Sequence, residues 1–100
     1  MGSYQKFWEL KLLKNIVAIR RKIDAIDERL VLLLKNRIQL CKDIGEVKRE
    51  LGAPVKDRRR EDEVYLHVMA KALECGLDPQ KVEGIFKEII ALSVFVQGAE

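Results

Sequence analysis

Arg37 and Lys48 are the two side chains of this sequence best placed to bind an anion together. Their spacing of eleven residues corresponds in an α-helix to about three turns, and the two positions differ by only about 20° around the axis. A guanidinium and an ammonium on one helix face can bracket and orient a small dianion, which a single point charge cannot do. The alternative is that Lys48 is a solvated charge flanking a coiled coil.

Arg37 also interrupts an apolar repeat of seven residues. The other ten seam positions, read as a and d, are Ile16, Ile19, Ile23, Ile26, Leu30, Leu33, Leu40, Ile44, Val47 and Leu51. A buried guanidinium without a partner is costly, and no acidic residue shares this seam. We therefore expect Arg37 to have a partner from elsewhere in the fold or from a ligand.

A second group of polar residues lies at the predicted start of the second helix. Arg58–Arg60 occupy a first turn, where the helix dipole favours carboxylates, after the predicted N-cap Asp57. An anion there would be bound by free backbone N–H groups and by Arg60, while Glu61 follows the apolar stripe and is expected to point inward. The alternative is a basic surface run balanced by the acidic residues 61–63.

The third polar pair is Ser93 and Gln97, one turn apart on an otherwise apolar helix face. A buried serine can donate to a carbonyl of the preceding turn. A buried glutamine must satisfy both an oxygen acceptor and an NH₂ donor, so it indicates a polar contact inside the fold. The alternative is that the helix frays into solvent at Gln97.

Three helices position these residues. The first is expected to begin before Ile16 and to end at about Arg49 or Glu50, since Gly52 and Pro54 terminate it. The second, of about 17 residues, follows Asp57, and the third begins at Asp78–Pro79. No segment shows the alternation of a strand, so the fold class is all-α.

The length of the first helix predicts a second chain. From residue 16 to residue 51 it would extend about 50 Å, which exceeds the diameter of one domain of this size. Half of the apolar seam therefore needs cover from a partner. We expect one domain over residues 16–98, and residues 1–15 form an N-terminal extension of the first helix whose role is open.

Composition disfavours several classes of function. A net charge of +3 in 100 residues is too small to indicate a nucleic-acid-binding protein. Cys41, Cys75 and the single His67 do not have the spacing of a zinc site, so no metal is expected. No segment has the length of a membrane span or the character of a secretory signal, which predicts a cytoplasmic protein.

Eight polar residues together resemble the active site of a known family, the all-α chorismate mutases: Arg20, Arg37, Lys48, Asp57, Arg60, Glu61, Ser93 and Gln97. The resemblance covers about Ile19 to Gln97. It includes the opening segment 19–27, the turn 54–57 and the Arg60–Glu61 pair.

The resemblance implies an intertwined antiparallel homodimer of three-helix chains. Its activity would be the conversion of chorismate to prephenate by an intramolecular [3,3] rearrangement without a cofactor, in the shikimate pathway to phenylalanine and tyrosine. Arg20 is about 25 Å from Arg37 along one straight helix, so a site that contains both requires the partner chain.

The resemblance also implies a role for each residue. Arg37 and Arg20 of the partner subunit would bind the two substrate carboxylates, with help from Ser93 and Arg60. Glu61 and the backbone at Asp57 would bind the ring hydroxyl. Lys48 and Gln97 would donate to the ether oxygen. Some family members carry glutamate at the position of Gln97. The carboxyl group of a glutamate donates only when it is protonated.

Three other functions remain alternatives at this point. An isochorismate-pyruvate lyase has a similar fold and similar cations, although Glu61 and Asp57 favour the mutase. A noncatalytic helical dimer could serve as a regulatory or interaction module. A nucleic-acid-binding protein would require Arg58–Arg60 to join other cations in one patch, which the acidic residues that follow disfavour.

Overall fold

The structure, a computed structural model, describes residues 2–98 of the 100-residue chain. Within that range it contains three α-helices and no strand: α1 (Gly2–Leu51), α2 (Arg58–Glu74) and α3 (Pro79–Val96). The chain divides into two compact units, Met1–Asn36 and Arg37–Glu100. The first unit contributes only helix α1, and the second contains the last turns of α1 together with α2 and α3. The all-α prediction is confirmed.

Helix α1 ends where the sequence predicts. Gly52 adopts φ 66°, a left-handed conformation that glycine enters without steric cost. Its N–H donates to the Arg49 carbonyl at 3.2 Å, and the Ala53 N–H donates to the Lys48 carbonyl at 2.8 Å. Pro54, which has no N–H, follows this turn. Helix α1 therefore ends within one turn of Lys48.

Side-chain caps begin the two shorter helices. An Asp57 oxygen accepts from the Arg60 backbone N–H at 3.1 Å at the start of α2. An Asp78 oxygen accepts from the Gln80 N–H at 2.9 Å and from the Lys81 N–H at 3.4 Å at the start of α3. These contacts satisfy backbone donors that have no partner inside the helix. Both predicted N-caps are confirmed.

The core of the second unit is small. Helices α2 and α3 pack against each other, and the buried apolar residues among those described are Cys41, Val68, Ala72 and Ile90. Leu73 of α2 and Ile85 of α3 are exposed. The isolated chain therefore buries little apolar surface for its length.

The apolar seam of α1 is exposed along its whole length. All ten apolar seam residues are more than one-third exposed, from 41% at Ile16 to 75% at Leu51. Ten exposed apolar side chains on one helix are unusual on a monomeric protein and are typical of an interaction surface. Among the described residues, no helix combines the length and apolarity that a membrane crossing requires.

We predict that Asp78→Ala lowers the free energy of unfolding by about 1 kcal/mol, because two N–H groups of α3 lose their acceptor. Urea unfolding at one fixed protein concentration measures this change. Glu88→Ala, an exposed carboxylate within the same helix, is the matched control and should change the value little. Equal effects of the two variants would contradict the capping role.

Candidate functional site

A cavity of about 450 Å³ lies within the unit Arg37–Glu100. Residues of α1, of the α1–α2 loop, of the first turns of α2 and of α3 line it. Seven of the eight predicted site residues are among them: Arg37, Lys48, Asp57, Arg60, Glu61, Ser93 and Gln97. The other lining residues are Leu40, Cys41, Ile44, Val55, Val64, Ile90 and Val94. An apolar wall with a few convergent polar groups is typical of a small-molecule site.

Arg37 is half-buried, and its guanidinium contacts neutral groups. Its Nη1 donates to the Ser93 hydroxyl oxygen at 2.5 Å and lies 3.8 Å from the Cys41 sulfur. The Ser93 hydroxyl in turn donates to the Ile89 carbonyl at 2.7 Å, as predicted for a buried serine. Neither partner is an anion, so these contacts do not compensate the positive charge of the guanidinium. The N–H donors on its other nitrogens are available to a ligand.

Lys48 is held inside the cavity. Its Nζ donates to the Val55 carbonyl at 2.7 Å and to the Gln97 side-chain oxygen at 2.9 Å. The alternative of a solvated flanking charge is wrong, since the side chain is half-buried and bonded on two sides. An ammonium has three donors, so one N–H remains for a ligand while neutral oxygens fix the nitrogen in place.

Gln97 joins α3 to the lysine of α1. It is the C-cap residue of α3, its oxygen accepts from Lys48, and its amide nitrogen donates to the Ser93 carbonyl at 3.1 Å. The residue is half-buried, so the alternative of a helix that frays into solvent at this position is wrong. Both ends of the amide are satisfied, as the sequence requires of a buried glutamine.

The start of α2 combines a residue that faces the cavity with a surface ion pair. Glu61 is half-buried and lines the cavity, in agreement with its predicted inward position. Arg60 also lines the cavity, but its side chain is 68% exposed and its Nη1 lies 3.4 Å from a Glu63 carboxylate oxygen. Arg59 makes a similar contact with Glu63 at 3.7 Å. The alternative of a basic surface run balanced by acidic residues therefore holds for part of this segment. Exposed ion pairs of this kind contribute little stability.

Arg20 is the predicted site residue that does not line the cavity. It is exposed and lies on α1 within the other unit, Met1–Asn36. The cavity of one chain thus has three cationic side chains, Arg37, Lys48 and Arg60, and two acidic ones, Asp57 and Glu61. Among the described residues, no cluster of histidine, cysteine and acidic side chains could hold a metal ion.

Sequence reasoning missed two features of this site. The Val55 carbonyl fixes Lys48. Because every residue has a backbone carbonyl, the residue type at position 55 could not indicate this contact. Gly45 lies buried on α1 against Gln97, and its position inside a helix was a signal, because glycine is unfavourable there.

Comparisons with known proteins match most of this chain. Residues 19–98 match the family model described as chorismate mutase type II. A chorismate mutase from Methanocaldococcus jannaschii is 33% identical over 79 residues, which cover 79% of this chain and 80% of that protein. A conserved hypothetical protein from Pyrococcus furiosus has a solved structure with a TM-score of 0.67 and 34% identity, covering 83% of this chain and 95% of that one.

Longer relatives match over one part of their length. The bifunctional chorismate mutase/prephenate dehydratase of Escherichia coli K12 is 33% identical over 84 residues, which cover 84% of this chain but 22% of that protein. The chain thus spans about a fifth of the bifunctional relatives that it matches.

Proposed function

The chain belongs to the chorismate mutase type II family, and from this premise we propose that the cavity lined by Arg37 and Lys48 is the active site in which chorismate rearranges to prephenate. The prediction of an all-α chorismate mutase, an isomerase, is confirmed by the family match. The observation that supports the site is the Lys48–Gln97 pair at 2.9 Å, which places two potential donors side by side in a cavity that also contains Arg37.

The reaction needs neither a nucleophile nor a general base. Within one molecule the ether C–O bond breaks and a C–C bond forms, so no atom or proton is exchanged with the protein. The ether oxygen gains negative charge as its bond breaks. The protein must therefore hold a compact conformer of the substrate and stabilise charge on that oxygen.

Lys48 is suited to stabilise the ether oxygen. The Val55 carbonyl and the Gln97 oxygen hold its ammonium from two sides and leave one N–H for the substrate. Because both are neutral, they orient the charge without cancelling it. A donor that is fixed before the reaction stabilises developing charge without reorganisation during the reaction.

Gln97 would donate to the same oxygen through its amide nitrogen. One of the two N–H groups of that nitrogen donates to the Ser93 carbonyl, which leaves the other N–H for the substrate. The glutamine oxygen would remain beside Lys48. The two residues would then supply one charged and one neutral donor to the ether oxygen.

The remaining residues would bind the other polar groups of chorismate. Arg37 has donors for a carboxylate beyond those used by Ser93, and Arg60 would add positive charge at the cavity wall. Glu61, half-buried at the cavity, and the backbone at Asp57 would bind the ring hydroxyl. These contacts would select the substrate and fix its orientation.

A second copy of the chain would complete the site. The exposed apolar seam of α1 and the small core both favour burial against another chain. Arg60, which contacts Glu63, would add charge only at the cavity wall, so one chain offers Arg37 and Lys48 as direct partners for a substrate with two carboxylates and an ether oxygen. Arg20 of the partner subunit would supply the missing cation in an antiparallel homodimer.

The proposed catalytic domain is residues 16–98, in near agreement with the family match. Of the N-terminal extension 1–15, residues 2–15 are part of α1, and Met1 lies outside the described residues.

We predict that purified protein accelerates the loss of chorismate absorbance with prephenate as the product, and that Lys48→Ala lowers kcat by about 10³ while it stays folded. Lys42→Ala removes an exposed lysine from the same helix and should leave kcat unchanged. A folded Lys48→Ala protein that retains most of its kcat would refute the assigned role. A folded wild-type dimer without turnover would refute the proposed function, and pyruvate from isochorismate would instead identify a lyase.

We also predict a kcat that is nearly constant from about pH 5 to 8, because an amide donates at any pH in this range. In Gln97→Glu only the protonated carboxyl can donate, so kcat should fall about tenfold per pH unit above the pKa of the introduced acid. Gln39→Glu, an exposed substitution on α1, is the control and should keep the wild-type profile. A Gln97→Glu profile as flat as that of the wild type would contradict donation by residue 97.

A further inference from the structure

Gly45 lies at a close approach between α1 and the end of α3. The residue is buried in the interior of α1. A Cβ atom at this position would lie 2.9 Å from the Gln97 Cα and 3.2 Å from the Gln97 Cβ and Cγ. Real Cβ atoms essentially never approach another heavy atom as closely as 2.9 Å. Any larger residue at position 45 would therefore displace Gln97.

Four other glycines do not make such a contact. Gly52, Gly76 and Gly98 have positive φ angles, which explains glycine at these turns, and nothing lies within 4 Å of a Cβ built on them. Gly84 is helical and exposed, and it also has open space around it. Gly45 thus combines the unfavourable conformational freedom of a helix-interior glycine with a close packing contact.

The contact lies beside the proposed catalytic pair. Gly45 precedes Lys48 by three residues and follows Arg37 by eight, so the three positions share one face of α1. The Gln97 side chain leaves the backbone at the close approach and ends 2.9 Å from the Lys48 Nζ. The distance between α1 and the α3 C-cap therefore determines whether the amide reaches the ammonium.

We propose that Gly45 is a positioning residue for the rearrangement, because its missing side chain allows Gln97 to lie beside Lys48. This inference rests on the proposed function. A methyl group at position 45 would have to move the Gln97 Cα by about 0.5 Å to reach ordinary van der Waals contact. Catalysis is sensitive to displacements of this size, whereas a shift at the last residue of a helix need not disturb the packing of α2 on α3.

The kinetic test compares alanine at two helical glycines. Gly45→Ala should lower kcat about tenfold and change KM by less than about twofold, with an unchanged circular dichroism spectrum. Gly84→Ala, which adds the same methyl group in open space, should keep the wild-type kcat and an equal or higher melting temperature.

A double-variant comparison separates positioning from general packing. If Gly45 acts through Gln97, then adding Gly45→Ala to Gln97→Ala should lower kcat by less than about twofold, because no amide remains to be misplaced. An undiminished tenfold loss in that background would overturn the proposal. Wild-type kcat in Gly45→Ala, or loss of its folded state, would overturn it as well.

A spectroscopic measurement tests the geometry without turnover. In ¹⁵N-labelled protein, Gly45→Ala should shift the side-chain amide resonances of Gln97 and leave those of the exposed Gln39 in place. Unchanged Gln97 resonances would overturn the inference. If the wild type did not convert chorismate, the proposed function would fail, while this measurement would still report whether Gly45 determines the position of Gln97.

Discussion

The fixed position of the Lys48 ammonium is the constraint on which the proposed active site depends. Its nitrogen lies between the Val55 carbonyl and the Gln97 amide oxygen, at 2.7 and 2.9 Å. Both acceptors are neutral, so the lysine is oriented while its charge stays available for a substrate oxygen. A carboxylate partner would orient it equally well but would compensate the charge that the reaction needs.

Three separate backbone features bring those acceptors to the lysine. The left-handed Gly52 ends α1 and turns the chain back, so that the Val55 carbonyl can reach the side chain of Lys48. Asp78 and Pro79 begin the helix that ends at Gln97. Gly45 allows that end to approach α1. The position of the Lys48 ammonium thus depends on two glycines and a helix cap that do not line the cavity.

The sequence predicted the features that depend on local interactions. Gly52, Asp57 and Asp78 act within one turn, so the helix ends could be predicted from residue type alone. The grouping of seven site residues around one cavity followed from a family resemblance, since the pattern of one helix cannot give contacts between helices. The contact of Lys48 with the Val55 carbonyl and the close approach of Gly45 to Gln97 depend on tertiary distances. Such distances cannot be predicted from the residue types of a single sequence.

We propose that each active site combines Arg37 and Lys48 of one chain with Arg20 of the partner subunit. Mixing inactive Arg20→Ala and Lys48→Ala proteins tests it most directly, because a heterodimer would contain one site with all native residues. We expect chorismate turnover to return as subunits exchange, to about one quarter of the wild-type rate at equal mixing. Half of the chains then pair as heterodimers, and each heterodimer has one intact site of its two. Mixtures that stay inactive although heterodimers are detected by mass spectrometry would contradict a site shared between two chains.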